Sequence, residues 1–71
     1  MGLKLSARNI LKGTIKSITH GAVDTEVVIE LSPGVEIVSI ITKNSAESLA
    51  LKVGDAASAI IKAPNVIIGV E

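Results

Sequence analysis

The chain has no cysteine, phenylalanine, tyrosine or tryptophan, and its one histidine is His20. Each absence closes a route. Without cysteine there is no disulfide, and a lone histidine cannot make a Cys/His zinc site. Without aromatic rings a single-stranded nucleic acid finds no platform on which to stack its bases. Seven Lys and Arg balance seven Asp and Glu, so no net positive field draws in a phosphate backbone. A nucleic-acid partner is therefore not expected. No apolar run approaches the ~20 residues of a membrane span, and the N-terminus shows no signal-peptide core, so no membrane partner and a cytoplasmic location are expected. "MGLKLS" matches the loose N-myristoylation pattern through Gly2 and Ser6, a pattern too permissive to carry weight.

What is present is aliphatic. Hydrophobic residues make up 48% of the 71, and Val, Ile, Leu and Ala must do the packing. The length suits one small domain over residues 1–71. A domain of this size buries only about 60% of its unfolded surface, and natural chains so short lean on disulfides, metals or partner copies. The first two are excluded, which leaves self-association. Aliphatic surface in excess of what one small body can bury points the same way.

Residues 10–18, "ILKGTIKSI", alternate imperfectly, with Leu11, Gly13, Ile15 and Ser17 on one side. Residues 22–31 alternate cleanly: Val23, Thr25, Val27, Ile29 and Leu31 face one way, and Asp24, Glu26 and Glu30 the other. The turn around Gly21 makes these a hairpin. "SPG" at 32–34 is a second turn, leading into "VEIVSIIT" (35–42). That strand is apolar on both faces, as if a second chain covered it. In "NSAESLAL", Asn44 and Glu47 have capping-box spacing, which predicts one short helix. "AASAIIKA" (56–63) and "NVIIGV" (65–70) read as two further strands. The expectation is a mainly β chain: a small five-stranded Greek-key barrel of oligonucleotide/oligosaccharide-binding type, with its helix between the third and fourth strands. Gly13 then marks a barrel corner.

The residue inventory offers little for catalysis. His20 falls in a hairpin turn, where a histidine is normally a solvated polar residue, and no serine has a partnered base in the pattern. Asp24, Glu26 and Glu30 have the spacing of a solvated strand face, and no phosphate loop or metal-ligand cluster occurs. No enzyme activity and no cofactor are expected. A different set stands out. Ser6 and Arg8 precede the first strand, Thr42 and Ser45 bracket the helix start, and Lys62 closes the fourth strand. All donate hydrogen bonds, two are cationic, and none is a carboxylate. Converged, they would suit a tetrahedral dianion that has only acceptor oxygens. Taken singly, they are equally a loose terminus, two helix caps and a strand-end lysine.

"LSARNILKGTI", "IITKNSAESLAL", "VGD" and "AIIKAPNVIIG" resemble the molbindins, or Mop domains, a TOBE-type molybdate-binding family, across essentially the whole chain. The resemblance implies a homohexamer built as three strand-exchanging dimers. It would bind molybdate or tungstate between subunits, for molybdenum storage or homeostasis. Carried over by position, the oxyanion site falls on Ser6, Ala7 (through its backbone), Arg8, Lys62 and Ala63, with Thr42 and Ser45 supplied by a neighbouring subunit. Asn9 matches the motif in a structural role. A second oxyanion site, near the three-fold axis, is placed on Gly21, Ala22 and Val23. Ala63 stands where some relatives carry Ser, and Pro64 where Thr is common, so a hydroxyl and a backbone N–H are missing here. Protonated phosphate brings a donor that an all-donor site cannot satisfy, whereas sulfate must be told from molybdate by size. The alternative is an interaction module of the same fold that binds no ion.

Overall fold

The computed structural model describes residues 6–71, so Gly2 and its acylation pattern lie outside the described residues. The period-two patterning becomes four antiparallel strands: β1 (Asn9–His20), β2 (Asp24–Ser32), β3 (Val35–Thr42) and β4 (Ala56–Ile61). A short helix, α1 (Lys43–Ser48), connects β3 to β4, as expected. A 3-10 turn at Ala63–Asn65 follows β4. The sheet order is β3-β2-β1-β4, so the first three strands meander and β4 returns to lie beside β1.

β1 is long because two strands share it. Its first half pairs with β4, from Asn9↔Ile61 to Thr14↔Ala56, and its second half with β2, from Thr14↔Glu30 to His20↔Thr25. The handover curls the sheet into a half-barrel, and Gly13 sits at the bend. A Cβ on Gly13 would overlap the Glu30 carbonyl oxygen and lie 2.8 Å from Ile29 Cγ2. The imperfect alternation of β1 also has a cause: the register slips between Ile15 and Ser17, a β-bulge with Lys16 as the extra residue. After the slip Ile18, rather than Ser17, faces the core beside Ile15. Lys16 points outward and pairs with Glu36 of β3, and that hydrogen bond raises its pKa above the ordinary lysine value.

Five of the described residues are buried. Ile15, Val27 and Ile29 form the core, with Ile18, Leu31, Ile41, Leu51, Ala57 and Ala59 packed on it; Ala46 and Thr25 are the others. Asp24 and Glu26 are exposed on the opposite face, the solvated role expected of them. His20 is not in the turn. It ends β1, and its Nδ1 lies 3.0 Å from Oγ1 of Thr25, giving that buried hydroxyl its partner.

The helix starts two residues earlier than the capping-box spacing suggests. Thr42, not Asn44, is the N-cap, its Oγ1 accepting the Ser45 N–H at 3.0 Å. The far end is a Schellman closure: Ala50 N–H donates to Glu47 O at 3.0 Å and Leu51 N–H to Ala46 O at 3.4 Å. Ala50 accordingly takes φ 51°, a conformation usually left to glycine.

The expected fifth strand does not form in this chain. After the turn at 63–65, residues 66–71 pair with no strand, and Ile67 and Val70 are each 92% exposed. A strand exists only by pairing, and Pro64 removes one ladder N–H where the chain turns away from β1. β3 is an edge strand: Ile37 and Ile41 turn inward, whereas Val38 and Ile40 remain exposed on the outer face. Between β3 and β4 the half-barrel stays open on an apolar cavity of about 300 Å3 that reaches Ile15, Ile41, Leu51 and Ala57. Among the described residues no helix is long and apolar enough to cross a membrane.

Candidate oxyanion site

The β1–β4 ladder ends at Asn9↔Ile61. Beyond that rung Arg8, Ala7 and Ser6 lie just before β1, and Lys62, Ala63 and Pro64 just after β4. These six residues line one hollow of about 230 Å3. Five of the seven primary site residues read from the sequence therefore share one place.

The chemistry of the hollow is one-sided. Arg8 and Lys62 contribute full positive charges, Ser6 a hydroxyl, and none of the six lining residues is a carboxylate. Ala63 opens the 3-10 turn, so its N–H has no acceptor inside that turn. Pro64, at the next position, has no N–H to offer. Two like charges brought to one hollow repel, and an anion between them relieves that repulsion. Arg8 and Lys62 are both exposed, open to a ligand from solvent. Asn9 is half-buried, and its Nδ2 donates to the Ile61 carbonyl at 3.1 Å, tying the two strand ends together behind the charges.

Thr42 and Ser45 lie elsewhere. Thr42 ends β3, pairing with Asp24 near the His20 end of β1, and Ser45 lies in α1 just beyond it, whereas Arg8 precedes the other end of β1. The 12 residues of β1 separate the two groups, on the order of 30 Å of strand. One chain does not bring them together. Thr42 Oγ1 accepts the Ser45 N–H and donates to Ser45 Oγ at 2.8 Å, which leaves the Ser45 hydroxyl proton for an outside acceptor. The helix behind it has only six residues, so its end field is weak, and the hydroxyl is what Ser45 brings.

A second hollow of about 280 Å3 is lined by Ala22, Val23, Thr42, Lys43 and Asn44. Two of the three residues placed at the second site border it. The N–H of the third, Gly21, is already spent on Asp24 O at 2.7 Å, and the Val23 carbonyl accepts the Lys43 N–H at 2.9 Å. Lys43 is the cation there, and sequence reasoning missed it. A lysine at a helix start reads as solvated, and only the Lys43–Val23 bond shows where it sits.

Residues 5–68 match the TOBE domain family. The chain is also 44% identical over 69 residues to the probable molybdenum-pterin-binding protein of Haemophilus influenzae, covering 97% of this chain and all of that one. The chain belongs to the molbindin family of TOBE domains. Its fold agrees closely with solved members. MopII from Clostridium pasteurianum superposes with TM-score 0.87 at 40% identity, over 94% of this chain and 100% of that one. The cytoplasmic molybdate-binding protein ModG, solved with molybdate bound, gives TM-score 0.91 at 56% identity; 99% of this TOBE domain matches 50% of that chain.

Proposed function

We propose that this TOBE domain is cytoplasmic, binds molybdate, or tungstate, between copies of itself and serves molybdenum storage or homeostasis without catalysing a reaction. The observation that carries the reading is the hollow of Ser6, Ala7, Arg8, Lys62, Ala63 and Pro64: two cations, a hydroxyl and backbone donors with no carboxylate among them. Molybdate is a dianion with only acceptor oxygens, and charge-assisted bonds from Arg8 and Lys62 are the strong kind. Similarity to a molybdate-bound protein over essentially the whole chain supports the same ligand here.

The separation of Thr42 and Ser45 from Arg8 supports an interface site. A second copy that sets its Thr42–Ser45 end against the Arg8–Lys62 hollow completes the donor set. The unpaired segment 66–71, with Ile67, Ile68 and Val70 exposed, is the natural strand to exchange. Added to an open edge of another copy, it becomes the fifth strand of a closed Greek-key barrel. Three such dimers make the hexamer.

Isothermal titration of the protein with sodium molybdate, tungstate, sulfate and phosphate tests this. Comparable uptake of molybdate and tungstate, with sulfate weaker and phosphate excluded at neutral pH, is the expected outcome. Equal binding of all four, or of none, contradicts it.

A further inference from the structure

The last rung of the β1–β4 ladder carries a bond that no backbone group makes. Asn9 Nδ2 reaches the Ile61 carbonyl oxygen at 3.1 Å from a half-buried position. Only the donor end of an amide can face a carbonyl, which fixes how the side chain is turned. Among the described residues this is the one side-chain hydrogen bond joining the Arg8 segment to the Lys62 segment.

Beyond that rung nothing continues the ladder. The chain after Lys62 closes on itself, Asn65 N–H donating to Lys62 O at 2.9 Å and Val66 N–H to Ala63 O at 3.2 Å. Pro64 brings no N–H. Arg8 and Lys62 line one hollow just past that rung, and like charges held near each other repel while no anion lies between them. The Asn9 amide acts against that repulsion at the last rung.

We propose that Asn9 is a positioning residue of the oxyanion site, its bond to the Ile61 carbonyl setting the spacing at which Arg8 and Lys62 hold the anion. This rests on the reading of the hollow as the molybdate site. Asn9 touches no ligand; it acts through the two cations. Without the amide the charged pair splays, and part of the anion's binding free energy goes into drawing the strand ends together.

The test uses Asn9→Val, whose β-branched side chain suits a strand and cannot donate. Molybdate titration calorimetry and light scattering are run on the same full-length samples. The expected result is an unchanged particle mass and an affinity lower by about fivefold, the weight of one neutral hydrogen bond. Asn9→Gln, which keeps an amide on a longer stem, recovers part of the loss. In an Arg8→Lys background the effect of Asn9→Val shrinks, because a flexible ammonium does not need the fixed spacing that a guanidinium fork does. If Asn9→Val does not assemble, Asn9→Ser removes the amide more gently and is read the same way. Wild-type affinity in an intact Asn9→Val particle overturns the proposal, as does a loss of equal size in the Arg8→Lys background. Wild-type protein that takes up no molybdate overturns the reading of the hollow itself, and the role of Asn9 with it.

Discussion

At the scale of single residues, two positions make opposite demands on the chain. Ala50 occupies φ 51° so that the Schellman bonds can close α1, although an L side chain there costs roughly 1–2 kcal/mol. Ala50→Gly relieves that cost and gives back part of it in unfolded-chain entropy, so the variant gains about 0.5–1 kcal/mol. A melting temperature raised by a few degrees at fixed protein concentration shows the gain; an unchanged or lower one argues that the helix end is unstrained. Arg8 is the reverse case. It is exposed, and its contribution is expected in ligand uptake rather than in folding. Arg8→Ala removes charge-assisted bonds worth about 1.5–3 kcal/mol, so molybdate affinity falls by roughly ten- to a hundredfold while the melting temperature without ligand stays put. An oligomer that falls apart on this substitution makes Arg8 an assembly residue instead.

At the scale of elements, the bend in β1 is where the fold is least forgiving. Gly13→Ala drives a Cβ into the Glu30 carbonyl oxygen, a backbone atom that cannot swing aside, and costs about 1–3 kcal/mol. Denaturant unfolding measures it, and a neutral Gly13→Ala shows that β1 and β2 can separate there at no cost. The corner glycine was legible in the sequence as a break in a strand pattern. So were the four strands, β2 most plainly, because Thr25, Val27 and Ile29 alternate with Asp24, Glu26 and Glu30 without a slip. Two features were not. The bulge at Lys16 resets the inward face from Ser17 to Ile18, and a pattern of period two has no symbol for an added residue. The helix cap was placed on Asn44 from its spacing to Glu47, yet Thr42 lies where β3 ends and so meets the Ser45 N–H first. The strand expected at 65–70 has strand composition but lacks a partner within its own chain; composition reports suitability for pairing, not the neighbour. Of the candidate site, the residue types at 6–8 and 62–63 were legible, whereas their juxtaposition depends on the β1–β4 register, which only the fold supplies. The ion pair of Lys16 with Glu36 adds a small pH effect. A lysine pKa raised on folding contributes stability that is present at neutral pH, below the ordinary lysine range, and is lost as pH climbs through the raised value.

At the scale of the whole molecule, one chain leaves much apolar surface uncovered. Five of the described residues are buried, while Val38, Ile40, Leu49, Val53, Ile67, Ile68 and Val70 are all more than half exposed. The proposed self-association would cover such surface, and it would also join the two donor groups that one chain keeps at opposite ends of β1. Removing residues 66–71 is therefore expected to yield a smaller particle by light scattering and to weaken molybdate uptake together; loss of neither denies the segment its role as an exchanged strand. Ligand that binds only the assembled state must stabilise it in turn, by about 2.7 kcal/mol per site at a hundredfold excess over the dissociation constant. The most direct measurement is native mass spectrometry of the intact protein with molybdate, and with sulfate at equal concentration. Six chains per particle that gain several molybdates and no sulfate is the result this account predicts. Six chains that stay empty, or single chains that take up either anion alike, would contradict it.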